Sequence, residues 1–395
     1  MTALRQTYDI VIIGGAMMGS STAWFLRDIG FDGSVLVIER DPTYAACSTA
    51  HTNSCIRQQF STELNVRISQ FGAEFVTSLP ERMGGDAPRL AIQNFGYMYL
   101  ADTEIAADML RANAQVQHAA GAATRLMAPA QIAAAYPFYN LDGIVLGSIN
   151  TVNEGYFDGA TVFDWWRREA RRRGVDYVQG EVTGLDVRRG RVTHVQLADG
   201  STLACGQVVN ATGPRAARTA AMAGLALPVE PRKRFTYIFG AERPLDRPLP
   251  LTIDPSGVHV REVGGGLYQA GGHLDIDPAV EPDDFAMDHA FWQDHVWPAL
   301  ATRVPAFEAV KVTSEWAGHY AMNTFDHNAI LGPHPEVQNF IFLNGFSGHG
   351  LQQSPAMGRA TAEWLVHGAY QRLDMTPFHY DRLVQNTPIL ETAVI

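Results

Sequence analysis

The clearest pattern along the chain is a run of consecutive apolar residues that ends in a glycine-rich turn. Ile10 to Ile13 are β-branched residues without a polar interruption, which predicts a short strand buried on both faces. Ser20 to Leu26 come after the turn and predict a helix, and Ser34 to Glu39 predict the next buried strand. The chain therefore opens like a parallel α/β layer.

Two later stretches repeat the order of buried strand, small-residue turn and helix. Gln207 to Asn210 and Phe340 to Leu343 are the predicted strands, and their turns contain Gly213 and the run Gly345 to Gly350. Ligands of α/β proteins bind outside the carboxyl ends of the strands. Three such junctions therefore predict one large polar ligand that lies across all of them.

The stretches between these junctions contain a different mixture of elements. Further helices are predicted at 64–78, 103–119, 128–135, 161–173 with Asp158 as its cap, 216–223, near 282–302, and 355–366. Further strands are predicted at 90–93, 96–101, 142–149, 175–178, 184–188, 191–197 and 202–203. The proline-punctuated, strand-rich run 228–273 breaks the alternation of strand and helix. We therefore predict an α/β fold (α+β overall) with a second, mainly antiparallel layer.

The first turn carries most of a dinucleotide-binding fingerprint. In G-x-G-x-x-G the three glycines permit the tight turn, the close approach of backbone to pyrophosphate, and the packing of helix on strand. Gly14, Ala16 and Gly19 occupy these places, so the second carries an extra methyl group. Glu39 follows Gly19 by 20 residues, the spacing of a carboxylate that binds ribose hydroxyls. The alternative is an ordinary strand, turn and helix with a glycine packing contact.

Composition and charge exclude several classes of partner. The 395 residues, 46% hydrophobic and 18% charged, suffice for two globular domains. The net charge of -11 argues against nucleic acid, and no apolar run is long enough to span a membrane. Three cysteines without C-x-x-C spacing predict reduced thiols in a cytoplasmic protein, and no metal site is predicted. Lysine occurs only at Lys233 and Lys311.

Together these features resemble the D-amino-acid-oxidase-like superfamily of FAD-dependent oxidoreductases, in the branch of sarcosine oxidase and glycine oxidase. The resemblance covers most of the chain, and its carriers are 9–19 with Glu39, 56–61, 208–213, 323–326 with 330–333, and 345–350. It implies a Rossmann-like FAD-binding domain of the glutathione-reductase type, discontinuous over 1–85, 150–225 and 325–395. It also implies a substrate domain with an antiparallel sheet over 86–149 and 226–324.

The same resemblance assigns residues to FAD, which we expect to be bound without a covalent link. The adenosine diphosphate end would contact Gly14, Ala16, Gly19 and Glu39, with Arg40, Ser48 and Thr49 near the ribose and pyrophosphate and Val182 on the adenine. The flavin ring would be lined by Gly345, Gly348, His349, Gly350 and Leu351, and Ala211, Gly213 and Gln352 complete the set. Ser48 and Thr49 lie in a hydroxyl-rich loop, for which a solvated surface loop is the alternative.

Four residues are the catalytic candidates that the resemblance implies. Arg57 matches an arginine that binds the substrate carboxylate, a task that suits a guanidinium fork. His273 matches a histidine of the same pocket, and His259 lies near the position of a pocket tyrosine. His319 falls where the family has the cysteine that bonds to flavin, so a thioether link is excluded there. A His319 bond to flavin is conceivable, but pocket lining is the expectation; for each histidine the alternative is an ordinary loop or core imidazole.

The chain also departs from the sarcosine oxidase pattern at two lysines. Gln269 stands where that enzyme has a lysine that promotes the reaction with oxygen, and Gln352 replaces a lysine that helps to bind the carboxylate. On this alignment neither lysine of the chain can substitute for them. Oxygen as the electron acceptor is therefore in doubt, and a dehydrogenase that passes electrons to another acceptor or a partner subunit is favoured.

The resemblance implies oxidation of a C–N bond in a small amine or amino acid, with a secondary or N-alkyl amino acid preferred. A hydride passes from the carbon beside nitrogen to flavin N5, and the resulting imine is hydrolysed. One alternative on the same fold oxidises a 2-hydroxy acid and needs a base, for which His273 and His259 are candidates. Another alternative is a non-catalytic FAD-binding subunit or assembly factor.

Overall fold

Two large β-sheets organise the chain, and a computed structural model describes residues 4–273 and 276–393. The strands are β1 (Thr7–Ile13), β2 (Val35–Glu39), β3 (Cys55–Ile56), β4 (Tyr97–Ala101), β5 (Arg125–Met127), β6 (Leu146–Asn150), β7 (Gly155–Tyr156), β8 (Asp176–Gln179), β9 (Val182–Arg188), β10 (Arg191–Leu197), β11 (Thr202–Asn210), β12 (Val229–Ala241), β13 (Leu251–Ile253), β14 (His259–Gly264), β15 (Leu267–Gly272), β16 (Val310–Asn323), β17 (Ile330–Pro333) and β18 (Phe340–Asn344). The helices are α1 (Met17–Asp28), α2 (Glu63–Thr77), α3 (Leu79–Met83), α4 (Glu104–Ala119), α5 (Pro129–Ala135), α6 (Gly159–Arg172), α7 (Ala216–Met222), α8 (His289–Phe291), α9 (Trp297–Arg303), α10 (Gly350–His367) and α11 (Asp381–Val384).

The first sheet has the order β17-β18-β11-β1-β2-β8, with β10 paired to β11 and β9 paired to β10. Its centre is parallel, and Ile12 lies between Val209 of β11 and Val37 of β2. These apolar runs are buried on both faces because α1, α6 and α10 pack on one side and α7 with β9 and β10 on the other. The predicted parallel α/β layer is therefore confirmed.

The second sheet has the order β16-β12-β15-β14-β13-β4-β6-β5. All of its pairings are antiparallel except that between β13 and β4, and the longest runs from Val229 opposite Asn323 to Ala241 opposite Val310. Aromatic side chains such as Phe239, Tyr268 and Phe307 pack against each other on one face. The predicted antiparallel layer is confirmed.

The two sheets take their strands from alternating parts of the chain. The first uses 7–39, 176–210 and 330–344, and the second uses 97–150 and 229–323. The domain limits given above stay a prediction. No helix within the described ranges is long and apolar enough to cross a membrane.

Three element predictions are wrong or shifted. At 90–93 the chain forms only an isolated bridge from Gln93 to Tyr156 instead of a strand. The helix expected near 282–302 starts only at His289, because the residues before it form a turn at Pro282 and Asp283 followed by an irregular segment. The last helix starts at Gly350, five residues before Pro355. Proline cannot donate to the carbonyl of Leu351, and the Ser354 hydroxyl donates to that oxygen instead at 2.7 Å.

Candidate functional site

A cavity of about 410 Å³ lies at the carboxyl ends of the central strands of the first sheet. Ile13, Glu39, Ala211 and Leu343, which end or follow β1, β2, β11 and β18, all line it. The second sheet supplies another wall through residues such as Tyr320 of β16. The three predicted junctions therefore meet at one site, as expected for a ligand at the switch point of an α/β sheet.

The first turn is built by close backbone approaches. Gly14 has φ +97°, and a β-carbon there would overlap the carbonyl oxygen of Ala211. A β-carbon on Gly19 would overlap the carbonyl oxygen of Gly14, so Gly19 lets α1 lie against the turn. Gly14 and Ala16 line the cavity, whereas Gly19 is not among the described lining residues. Gly19 thus serves the helix packing that the fingerprint requires and does not face the ligand.

Glu39 holds the turn from the end of the second strand. Its Oε2 accepts a hydrogen bond from the Gly15 amide at 2.8 Å, and its Oε1 accepts one from the Asp41 amide at 2.9 Å. The carboxylate lines the cavity, where ribose hydroxyls could donate to it. Arg40 also lines the cavity, but its guanidinium donates to Asp283 at 3.0 Å.

Removing the carboxylate of Glu39 tests its predicted role. We expect Glu39→Ala to weaken FAD binding about 10- to 100-fold, since hydrogen bonds to a charged group contribute about 1.5 to 3 kcal/mol. Glu39→Gln keeps the size of the side chain and one acceptor oxygen, so its loss should be smaller. FAD dissociation constants from flavin fluorescence check this, and equal affinity in all three proteins would contradict the ribose assignment.

The last turn leads into α10 through residues that bring backbone close to an aromatic ring. Gly348 has φ +92°, and a β-carbon there would lie 2.5 Å from the ring of Tyr320. Gly348, His349, Gly350 and Leu351 line the cavity. Gly345 does not; it lies behind the turn, where a β-carbon would contact Asn323 and Val229.

The amino ends of α1 and α10 suit the polar groups of FAD. Their N-cap residues, Ala16 and His349, make no side-chain cap, and neither helix has an acidic residue in its first turn. Helix amino ends with free N–H groups favour a pyrophosphate anion and a carbonyl oxygen that becomes negative. Thr49 lies 3.4 Å from the Met17 amide nitrogen. The residues present therefore fit FAD, and the placement of the pyrophosphate at α1 and the flavin ring at α10 stays a prediction.

The remaining cofactor candidates also line the cavity. Ser48 donates its hydroxyl to the carbonyl oxygen of His319 at 2.7 Å, which ties its loop to the second sheet. Val182 is a buried residue beside Gly180 and Glu181 in the lining, near the end of β2. The other lining residues of the predicted set are Ala211, Gly213 and Gln352.

Arg57 lies at the cavity with its guanidinium bound to protein groups. It is 1% exposed and donates to the carbonyl oxygens of Gln59 and Ala393 and to His349 Nε2, the last at 2.9 Å. Its backbone amide donates to Gln352 Oε1 at 2.8 Å. A guanidinium has five N–H donors, so these bonds leave two for a ligand. Arg57 is therefore both a structural tie and a candidate substrate contact.

His349 is fixed by that contact. Because arginine only donates, Nε2 of His349 accepts and carries no proton. Burial and the nearby Arg57 charge hold the pKa of His349 well below its usual range. The imidazole at the start of α10 is therefore neutral, and it adds no positive charge beside the predicted flavin position.

His259 is a buried cavity residue, 7% exposed. Its Nε2 lies 3.2 Å from Asn53 Nδ2, and its Nδ1 has no hydrogen-bond partner within the described residues. Burial, followed by the nearby His273, Arg234 and Arg261, lowers the pKa of His259 to about 4. His273, at the end of β15, is not among the described residues that line the cavity.

The buried His259 should make the stability of the folded protein depend on pH. The unfolded chain binds a proton near pH 6.5 that the folded protein does not bind until about pH 4. Stability should therefore be full above pH 6.5 and fall by about 3 kcal/mol toward pH 4, at about 1.4 kcal/mol per pH unit. Urea midpoints across this range should fall less steeply in His259→Gln. The exposed His295→Gln is the control, and identical slopes in all three proteins would contradict the prediction.

His319 makes contacts typical of cavity lining. Its Nε2 lies 2.9 Å from the carbonyl oxygen of Asp284, to which it can only donate, and its ring packs on Phe285. Burial is the main cause that lowers the pKa of His319. With Nε2 bound to the protein, a non-covalent flavin remains the better expectation.

A segment that sequence patterns missed crosses the cofactor end of the cavity. The strap, residues 277–288, is joined to the rest of the protein by ion pairs, and its Pro282 lines the cavity. The pairs are Arg40 and Arg215 with Asp283, Arg218 with Glu281, Lys233 with Asp284, and Arg234 with Asp277. Pro278 and Pro282 were the available signal against a helix here.

Comparisons with known proteins find related sequences and structures. The family model "FAD dependent oxidoreductase" matches residues 9–364. FAD-dependent oxidoreductase domain-containing protein 1 of Xenopus laevis is 38% identical, over 98% of this chain and 85% of its own length. Mitochondrial sarcosine dehydrogenase of Mus musculus is 26% identical over 95% of this chain and 42% of its own length. The crystal structure of L-proline dehydrogenase from P. horikoshii has a TM-score of 0.84 at 26% identity and covers 98% of this chain and 100% of its own.

Proposed function

The chain belongs to the FAD dependent oxidoreductase family, and from that premise we propose that it oxidises the C–N bond of a small amine or amino acid. The protein is an FAD-dependent oxidoreductase, and sarcosine dehydrogenase is among its sequence relatives. When bound, FAD supplies the hydride acceptor. The proposed substrate is a secondary or N-alkyl amino acid, and the imine product hydrolyses in water.

The distribution of charge around the cavity is the observation that carries this proposal. The acids among the described lining residues, Glu39 and Glu181, lie at the predicted adenosine end. The lining also contains Arg57, which has no carboxylate partner within the described residues, and Arg234, whose charge is paired with Asp277 at 2.8 Å. The guanidinium of Arg57 favours a substrate carboxylate and disfavours an ammonium group beside it, so an amine would bind in its neutral form. The neutral nitrogen has the lone pair that helps a hydride to leave the adjacent carbon.

Of the two candidate bases for the 2-hydroxy-acid alternative, His259 and His273, the first is poorly suited. Oxidation of an alcohol needs a base that takes the hydroxyl proton. Burial and neighbouring positive groups lower the pKa of His259 to about 4, which makes it a weak base at neutral pH. An amine substrate needs no such base, because its nitrogen is already free of the extra proton.

We propose a dehydrogenase rather than an oxidase. No lysine is found among the described residues that line the cavity. Gln269, at the predicted oxygen-activating position, is buried and makes hydrogen bonds to Arg261 and Asn53. The names of two similar proteins support a dehydrogenase, since one is a sarcosine dehydrogenase and the other an L-proline dehydrogenase. The electron acceptor is then another molecule or a partner subunit.

Turnover with a soluble dye as electron acceptor tests the proposal. The FAD-loaded protein is given N-methylglycine, L-proline, glycine and matched 2-hydroxy acids, and products are identified by mass. We expect an aldehyde, keto acid or cyclic imine from one of the amines, and faster turnover with dye than with oxygen. Oxidation of a hydroxy acid alone would refute the bond type. No turnover of any compound by yellow protein would favour the non-catalytic subunit.

A further inference from the structure

Four polar side chains form a continuous hydrogen-bonded chain from the second sheet to the cavity wall. Arg261 of β14 donates from Nη2 to Gln269 Oε1 at 2.6 Å. Gln269 of β15 donates from Nε2 to Asn53 Oδ1, and Asn53 Nδ2 lies 3.2 Å from His259 Nε2. All but Asn53 are at least nine-tenths buried, and His259 and Asn53 line the cavity.

Arg261 fixes which group donates and which accepts in each of these hydrogen bonds. A guanidinium has only donors, so Gln269 must turn its oxygen toward Arg261 and its nitrogen toward Asn53. Asn53 must then accept with its oxygen and turn its own nitrogen toward His259. An amide nitrogen only donates, so His259 Nε2 must accept and cannot carry a proton.

A single protonation form of His259 follows. Its imidazole is neutral, because burial and nearby positive groups lower its pKa to about 4. With Nε2 as acceptor, the one ring proton lies on Nδ1. That nitrogen is buried and has no hydrogen-bond partner within the described residues, so it is a donor without an acceptor.

Packing alone does not explain why an arginine is buried at position 261. Its side chain is buried beside the Tyr156 ring and makes no ion pair with a carboxylate within the described residues. A buried cation without an acid costs free energy that a neutral residue of similar size would avoid. Its fixed donor geometry is what an uncharged side chain cannot supply.

We infer that Arg261 is a positioning residue which, through Gln269 and Asn53, holds His259 as the Nδ1–H form that donates to a carboxylate oxygen of the substrate. The substrate part rests on the proposed function, whereas the chain of donors does not. A carboxylate suits this position because, among the described residues, Nδ1–H has no protein acceptor and His259 lines the cavity. Arg57 and His259 would then bind the same anionic group from different elements.

Nitrogen NMR of protein labelled with ¹⁵N-histidine tests the chain of donors directly, since it separates protonated from bare ring nitrogens. The His259 signal is assigned by its loss in His259→Gln. In the FAD-loaded native protein at neutral pH we expect a protonated Nδ1 and a bare Nε2. A bare Nδ1 with a protonated Nε2, or a doubly protonated ring, would overturn the inference.

Gln269→Glu is the decisive variant because it reverses the chain without removing it. Glutamate still accepts from Arg261, but its second oxygen also accepts, so Asn53 must turn its amide nitrogen toward it and its oxygen toward His259. The ring proton should then move to Nε2. Arg261→Lys keeps a donor for Gln269 and should leave the proton on Nδ1. An unchanged His259 spectrum in Gln269→Glu would overturn the inference; if that variant does not fold, the native spectrum alone decides.

Kinetic measurements test the substrate contact of His259 separately from the hydrogen bonds that link it to Arg261. With the substrate found by turnover, Gln269→Glu should raise KM at least tenfold for the carboxylated amine and leave KM for its decarboxylated analogue unchanged. Arg261→Lys, which keeps a donor for Gln269, should have a KM close to that of the native protein. A moved proton with unchanged KM would overturn the carboxylate contact. Absence of turnover with every amine would refute the proposed function and leave the NMR result intact.

Discussion

Gly19→Ala is expected to yield a protein that does not retain FAD and unfolds more easily than the native protein. A β-carbon at Gly19 would overlap the carbonyl oxygen of Gly14, which is backbone and cannot rotate away. Helix α1 would have to move from β1, and its amino end would leave the position that faces the cavity. Overpacking of this kind typically costs about 1 to 3 kcal/mol, and the lost phosphate geometry adds to the effect on FAD.

Ala16→Gly is the matched control for Gly19→Ala. It changes the same turn by one methyl group in the opposite direction and restores the glycine of the fingerprint. We expect it to retain FAD at least as well as the native protein. The ratio of flavin absorbance to protein absorbance after gel filtration, with thermal unfolding, checks both variants. A yellow Gly19→Ala protein of native stability would show that α1 does not set the phosphate site.

Arg57→Leu is expected to lower the free energy of unfolding, because each buried acceptor left without a donor costs about 1 to 3 kcal/mol. The carbonyl oxygens of Gln59 and Ala393 and the ring of His349 would each lose a donor. The segment 389–393 should loosen, although Glu391 still accepts from Ser61 and Asn65. Urea unfolding and hydrogen exchange of this segment measure both effects.

The same variant tests the predicted carboxylate role, because Arg57 keeps two N–H groups for a ligand. KM should rise strongly for a carboxylated amine, since losing a charge-assisted pair costs on the order of 2 to 5 kcal/mol. KM for the decarboxylated analogue should be unaffected. Arg57→Lys, which keeps the charge with fewer donors, should lie between native and Leu in both measurements. A stability loss with unchanged KM would leave Arg57 as a structural tie only.

The strand, turn and helix junctions could be predicted because each is a local pattern. A buried apolar run followed by glycine specifies β1 with Gly14 whatever the rest of the chain does. Glu39 could be placed because its distance from Gly19 along the chain fixes its position at the end of β2. The resemblance then joined the three junctions into one cofactor site, at which most of the predicted cofactor residues lie.

The features that could not be predicted from the sequence depend on contacts between segments that are distant along the chain. The predicted helix near 282–302 includes the second half of the strap, whereas the ion pairs that hold the strap come from residues far away in sequence. Gly345 and His273 were expected at the cavity, yet one packs behind its turn and the other is absent from the described lining. Arg261 belongs to no sequence motif. Its proposed role depends on Gln269, Asn53 and His259, which only the fold brings together.

We propose that this flavoprotein takes a hydride from a carbon beside an amine nitrogen. The visible spectrum of the purified protein tests this when it is recorded without oxygen while amines, N-methyl amino acids and 2-hydroxy acids are added one at a time. We expect a yellow protein that one amine or N-alkyl amino acid bleaches, with colour returning slowly in air and quickly with a dye acceptor. Bleaching by hydroxy acids alone, or by no small molecule although dithionite reduces the flavin, would contradict it.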